Sequence, residues 1–193
     1  FAHARGVVHR DVKPSNLYLV DGDVADVRIL DFGVARWHAS SITATRAGSV
    51  LGTLSYMAPE QARGEPDIDA RADVFSLACV LFECVTGQPA FVGDHPVAVL
   101  AKILFEQAPR ASEVCEGVPA ELAALLARML EKEPQRRPAD AREVAGALRA
   151  LAGVSPAMAL PRVLRPPALT GGERRLVSVI LMGPERAPRR ARR

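Results

Sequence analysis

Cysteine is scarce: Cys79, Cys84 and Cys115 are the 3 in 193 residues, an odd count with no C-x-x-C or histidine-paired spacing. That excludes a disulfide framework and a cysteine zinc site and points to a reducing, cytoplasmic compartment. All three are read as small buried hydrophobes. Long apolar runs are missing too. The longest, Val74 to Phe82, stops at Glu83 and falls well short of the roughly 20 residues that cross a bilayer. It reads as a buried core helix, and no membrane segment is expected. Charge of one sign is also lacking in the body. Lys plus Arg (25) against Asp plus Glu (22) gives +3, with much of the excess in the tail GPERAPRRARR, so nothing here calls for nucleic acid. No internal repeat is visible. Neither an initiator methionine nor a charged-then-apolar leader opens the chain. FAHARGVVHRD reads instead as a helix end running into a loop, so the chain is expected to begin inside a domain.

What is present is enough for one core: 49% hydrophobic and 24% charged residues fit a globular domain. LYLV (17 to 20) and VRIL (27 to 30) are short β-prone runs around Asp21-Gly22, which predicts a β-hairpin. Residues 33 to 53 are rich in Ser, Thr, Ala and Gly without a sustained period and read as a long surface loop. Helices are predicted from Asp69 to about Thr86, ending at Gly87, and from Pro96 to about Glu106. Leu122, Leu125, Leu126, Met129 and Leu130 mark the stripe of an amphipathic helix. A last helix opens at Asp140, whose carboxylate caps it while Glu143 reaches back. Residues 1 to 151 are thus one domain, 152 to 172 a linker, and 173 to 193 an incomplete further segment with a basic tail.

The chemistry concentrates in three places. HRDVKPSN (9 to 16) sets Asp11, Lys13 and Asn16 close together, DFG (31 to 33) follows the second strand, and GTLSYMAPE (52 to 60) closes the long loop. A lone D-V-K is as easily a solvated turn, and Gly33 could merely relax a turn. Together and in this order, the three resemble the catalytic loop, metal-binding turn and activation-segment end of the protein kinases. The resemblance covers residues 1 to 151 and implies a mainly α fold, the kinase C-terminal lobe with a small β-hairpin.

Carried over residue by residue, that resemblance implies a division of labour. Asp11 would orient the acceptor hydroxyl and take its proton, and Lys13 would neutralise the transferring phosphate. Asn16 and Asp31 would hold Mg2+ against ATP, since hard cations prefer oxygen ligands. Phe32 would pack under the site, and Gly33 would supply the backbone freedom beside the metal ligand. His9 would be a structural support, Asp73 would accept hydrogen bonds from the catalytic-loop backbone, and Glu60 with Arg137 would form a buried ion pair. Arg10 would face a phosphate on the long loop, where Thr43 and Thr45 are the favoured acceptors. Thr53 would bridge Asp11 and Lys13, a pattern similar to kinases acting on Ser and Thr. YMAPEQARG looks like the bacterial, signal-transducing branch. Protein substrates with Ser or Thr hydroxyls, and ATP, are the implied partners; no oligomeric state is implied.

Departures from the family pattern carry expectations of their own. Phe75 stands where Trp is more usual, Ala78 where Gly is, and Tyr18 where an aliphatic side chain commonly floors the adenine pocket. No G-x-G-x-x-G loop, strand lysine or partner glutamate helix occurs, parts the family uses to cover the nucleotide. Residues 1 to 193 alone are therefore expected to bind ATP poorly, transfer phosphate near background and expose apolar surface around Leu17, Leu19 and Leu30. Two competing readings are a non-catalytic kinase-like scaffold and a small-molecule phosphotransferase. Intact Asp11, Lys13, Asn16 and Asp31 weigh against the first, and GTLSYMAPE against the second.

Overall fold

The structure is a computed structural model and describes residues 1–32 and 54–152, which lie within one compact unit, Phe1–Pro161. Gly33, Thr43, Thr45, Thr53, the linker beyond 152 and the basic tail lie outside the described residues. Among the described residues the architecture is mainly helical with one two-stranded sheet. Strand β1 (Leu17–Leu19) pairs antiparallel with β2 (Val27–Ile29), Leu17 opposite Ile29 and Leu19 opposite Val27. Between them Asp21 (φ 51) and Gly22 (φ 76) are both left-handed, and the Asp23 N–H closes the turn on the Val20 carbonyl at 2.8 Å. Two positive φ values in succession are what a type I′ turn requires, and Asp and Gly tolerate them best.

Among the described residues six α-helices follow: α1 (Pro59–Ala62), α2 (Ala70–Thr86), α3 (Pro96–Phe105), α4 (Ala111–Val114), α5 (Ala120–Met129) and α6 (Ala141–Ala152). Helix α2 is the centre, packing against α4, α5 and α6. It buries Val74, Phe75, Ala78, Cys79 and Phe82, and being apolar nearly all round suits an enclosed helix. Its start is set by Asp69, whose Oδ1 accepts the Arg71 N–H at 2.8 Å, and its end by Gly87 at φ 77. Leu125, Leu126 and Met129 of α5 and Val144 of α6 close the core.

At α6 the Asp140 Oδ1 accepts the N–H groups of Arg142 (2.8 Å) and Glu143 (3.0 Å). These bonds hold its carboxyl below the usual range. Glu143 does reach back, but to the Ala139 N–H (2.8 Å), one residue further than a capping box would place it. Helix α6 also takes in Ala152, the first residue of the expected linker. No helix among the described residues is long and apolar enough to cross a membrane. Of the cysteines only Cys79 is buried, its thiol pushed up to about 12 by burial; Cys84 is exposed and Cys115 half-buried. Cys84 ends up outside because it follows the buried stripe of α2 onto the solvent side.

Candidate active site

The loop from His9 to Asn16 is held from below by one carboxylate. Asp73, buried on α2, accepts the His9 N–H on Oδ2 and the Arg10 N–H on Oδ1, each at 2.7 Å. His3 Nε2 lies 2.9 Å from Asp73 Oδ2, and His3 Nδ1 accepts the Ala141 N–H at 3.2 Å. Because Nδ1 accepts, the proton sits on Nε2, which donates to Asp73. The start of α6, the N-terminal turn His3–Arg5 and the backbone of the loop from His9 are thereby tied to a single side chain. Held this way, Arg10 adopts φ 68, a left-handed backbone unusual for a residue with a β-carbon.

On the upper side, Lys13 Nζ meets Asp11 Oδ2 at 2.8 Å. Asn16 Nδ2 donates to the same Oδ2 at 2.9 Å and to the Asp11 carbonyl at 2.8 Å. Local sequence explains the approach: Pro14 begins a 3-10 turn, Pro14–Asn16, which brings Asn16 back over Asp11. Both donors converge on Oδ2. Asp11 Oδ1 has no donor among the described residues, and neither has Asn16 Oδ1.

His9 is buried and joins this loop to the second motif. Its Nδ1 accepts the Asp11 N–H at 3.2 Å, its Nε2–H donates to the Leu30 carbonyl at 2.9 Å, and its ring lies 4.8 Å from that of Phe32. The Leu30 N–H in turn donates to the Asn16 carbonyl at 2.8 Å. Leu30 is thus clamped on both sides, which sets the next residue, Asp31 (φ 54), beside the loop. The Asp31 carboxylate is exposed and has no partner among the described residues.

These donors suit a magnesium-nucleotide complex. Among the described residues no group of three or more His, Cys, Asp or Glu could hold a metal by itself. Mg2+ takes one or two protein oxygens and fills the remainder with water and phosphate, so unpartnered oxygens on Asn16 and Asp31 fit it better than a closed cage would. Tyr18 is 55% exposed and shares a sheet face with Arg28, opposite the face of Leu17 and Leu19.

Farther out, Glu60 and Arg137 form a bidentate pair at 2.7 and 2.9 Å. The guanidinium also donates to the carbonyls of Glu131, Lys132 and Arg71 and lies 4.9 Å above the Phe75 ring. Every donor is therefore met. Three contacts had no forecast from the sequence. Tyr56 Oη donates to Glu83 at 2.5 Å, and burial followed by that bond pushes the phenol far above its usual range. Lys132 Nζ sits 4.1 Å over Phe91. Gln61 touches Arg10; the one local signal for it was a Gln at the third position of a helix begun by Pro59.

Residues 1–147 match the protein kinase domain. The serine/threonine-protein kinase PknB of Mycobacterium leprae is 41% identical over 165 residues, 85% of this chain and 26% of the relative. PknB of Mycobacterium tuberculosis is 43% identical over 145 residues, 75% and 23% of the two chains. A probable PknB of Bifidobacterium longum is 40% identical over 144 residues, 74% and 20%. The chain spans about a quarter of the length of these curated relatives.

Proposed function

The chain belongs to the protein kinase family, and from that premise we propose that it forms the catalytic floor of a serine/threonine protein kinase in bacterial signalling. The carrying observation is the asymmetry of Asp11: Lys13 and Asn16 both occupy Oδ2, which leaves Oδ1 to accept the proton of a Ser or Thr hydroxyl. Lys13 then stands beside the developing charge on the transferred group, where preorganised positive charge does most of the work in phosphoryl transfer. Asn16 Oδ1 and the Asp31 carboxylate would hold Mg2+, which would neutralise the phosphate oxygens of a bound ATP. Tyr18 lines the base-binding side of the hairpin. Arg10 is exposed and its guanidinium forms no ion pair among the described residues, which leaves it for a phosphate on Thr43 or Thr45. Ser and Thr are the acceptors because the relatives are serine/threonine-protein kinases and because Lys13 stands two residues after Asp11.

The test is phosphotransfer by the full-length protein to a Ser/Thr peptide. Asp11→Asn keeps the shape and the Asn16 contact yet cannot take a proton. We expect kcat to fall by about 10²- to 10⁴-fold, the range general-base catalysis supplies, with ATP affinity held. Undiminished turnover in that variant refutes the assignment.

A further inference from the structure

Gln61 reaches from α1 into the catalytic loop with both ends of its carboxamide engaged. Its Oε1 accepts the Ala58 N–H at 3.1 Å, and its Nε2 donates to the Arg10 carbonyl at 2.8 Å. The partners fix the orientation of the amide, since a carbonyl oxygen only accepts and a backbone N–H only donates. No other natural side chain of that length offers an acceptor and a donor in one plane. Glu has two acceptors, and Lys has only donors.

The place it touches matters for Asp11. Arg10 stands at φ 68, a conformation that persists only where the surroundings hold it. Its N–H is held by Asp73 at 2.7 Å. Its carbonyl, the oxygen of the Arg10–Asp11 peptide, is held among the described residues by Gln61 alone. The other side of that peptide, the Asp11 N–H, has among the described residues only the 3.2 Å contact to His9 Nδ1, at the long end of the hydrogen-bond range. Rotation of this peptide plane redirects the Asp11 side chain.

We infer that Gln61 is a positioning residue: its carboxamide locks the Arg10–Asp11 peptide and thereby the aim of Asp11 Oδ1, tying α1 to the reacting carboxylate. This rests on the reading of Asp11 as the base and deepens it. Gln61 touches no reacting atom and acts only through Arg10.

Two substitutions separate the two halves of the amide. Gln61→Glu retains an acceptor for Ala58 and turns a carboxylate oxygen toward the Arg10 carbonyl. Gln61→Lys retains a donor for Arg10 and abandons Ala58. In the full-length protein we expect Gln61→Glu to lower kcat about 5- to 10-fold, the worth of one net hydrogen bond, with KM for ATP and peptide unchanged and the melting temperature held. Gln61→Lys should recover most of that loss in kcat. The reverse pattern, with Lys slow and Glu normal, makes Gln61 a helix cap only and overturns the inference, as does normal kcat in both variants or equal loss in both with lowered melting temperature. Asp11→Asn in the same assay keeps the two readings apart. If it stays active, the proposed function fails; if it is inactive while Gln61→Glu is silent, only the role of Gln61 fails. Amide hydrogen exchange at Asp11 in the 193-residue chain gives a readout independent of turnover: faster exchange in Gln61→Glu than in Gln61→Lys supports the lock, and equal rates overturn it.

Discussion

Single side chains far from Asp11 carry much of what shapes the site. Arg137 and Glu60 are almost wholly enclosed, 0% and 4% side-chain exposure, and removing one of two such charges strands the other. Arg137→Met should therefore destabilise the chain by about 3–5 kcal/mol, and urea unfolding will show it. The Glu60→Leu/Arg137→Met double variant should recover part of that loss, because no unpaired buried charge is left behind. Lys132 presents a different balance. Burial pushes its ammonium down to about 8 from 10.5, even though it lies over the faces of Phe91 (4.1 Å) and Phe75 (5.7 Å), which favour the charged form. Between about pH 8 and 10.5 the native lysine has given up its proton while the unfolded one still holds it. The unfolded state then binds more protons, and stability rises with pH. Wild type should accordingly gain stability relative to Lys132→Met across that window and hold a constant difference below it. Urea midpoints at pH 7, 8, 9 and 10 measure this, and a gap that never changes means Lys132 titrates as an ordinary surface lysine.

Elements show where sequence reasoning reaches and where it stops. Helix α2 was legible from its punctuation: Asp69 satisfies a free N–H at one end, and Gly87 takes a left-handed φ of 77 at the other. Asp69→Ala should cost about 1 kcal/mol, read as a lower urea midpoint with an unchanged slope. The hairpin was legible for the same reason, since the pair Asp21-Gly22 is a local signal. Helices α1 and α4, four residues each, were not, because one turn is too short to display a period. The clustering of Asp11, Lys13 and Asn16 lay within reach of local spacing, but ties between distant parts did not. His3 and Asp73 are 70 positions apart, and Gln61 and Arg10 are 51; no pattern in either neighbourhood encodes such a meeting, which is decided by how α2 and α1 pack. Glu60 and Arg137, 77 apart, were paired through the family resemblance and not through any periodicity. Cys84 was misplaced for a related reason: composition says cysteines are buried on average, whereas the face of α2 each one falls on is a property of packing.

At the scale of the molecule, the helical body is closed and the hairpin side is open. Alternation along β1 and β2 puts Leu17, Leu19, Val27 and Ile29 on one face, paired Leu17 with Ile29 and Leu19 with Val27. Leu19, Val27 and Ile29, with Leu30 and Phe32 next in the chain, are each more than two-fifths exposed. Contiguous apolar surface of this kind drives association unless something covers it. The 193-residue chain should therefore bind a hydrophobic dye such as ANS and associate as its concentration rises. Leu19 and Val27 face each other across the ladder, so Leu19→Lys with Val27→Glu replaces an apolar pair by an opposite-charge pair that sheet geometry supports. The hairpin should survive the exchange, because it is anchored to the body through Leu30, whose N–H meets the Asn16 carbonyl and whose carbonyl meets His9. The double variant should then show weaker dye binding and a smaller sedimentation coefficient at high concentration, with an unchanged urea midpoint. If association persists undiminished, the contact lies elsewhere, with the exposed Val97 and Phe105 of α3 the next surface to charge.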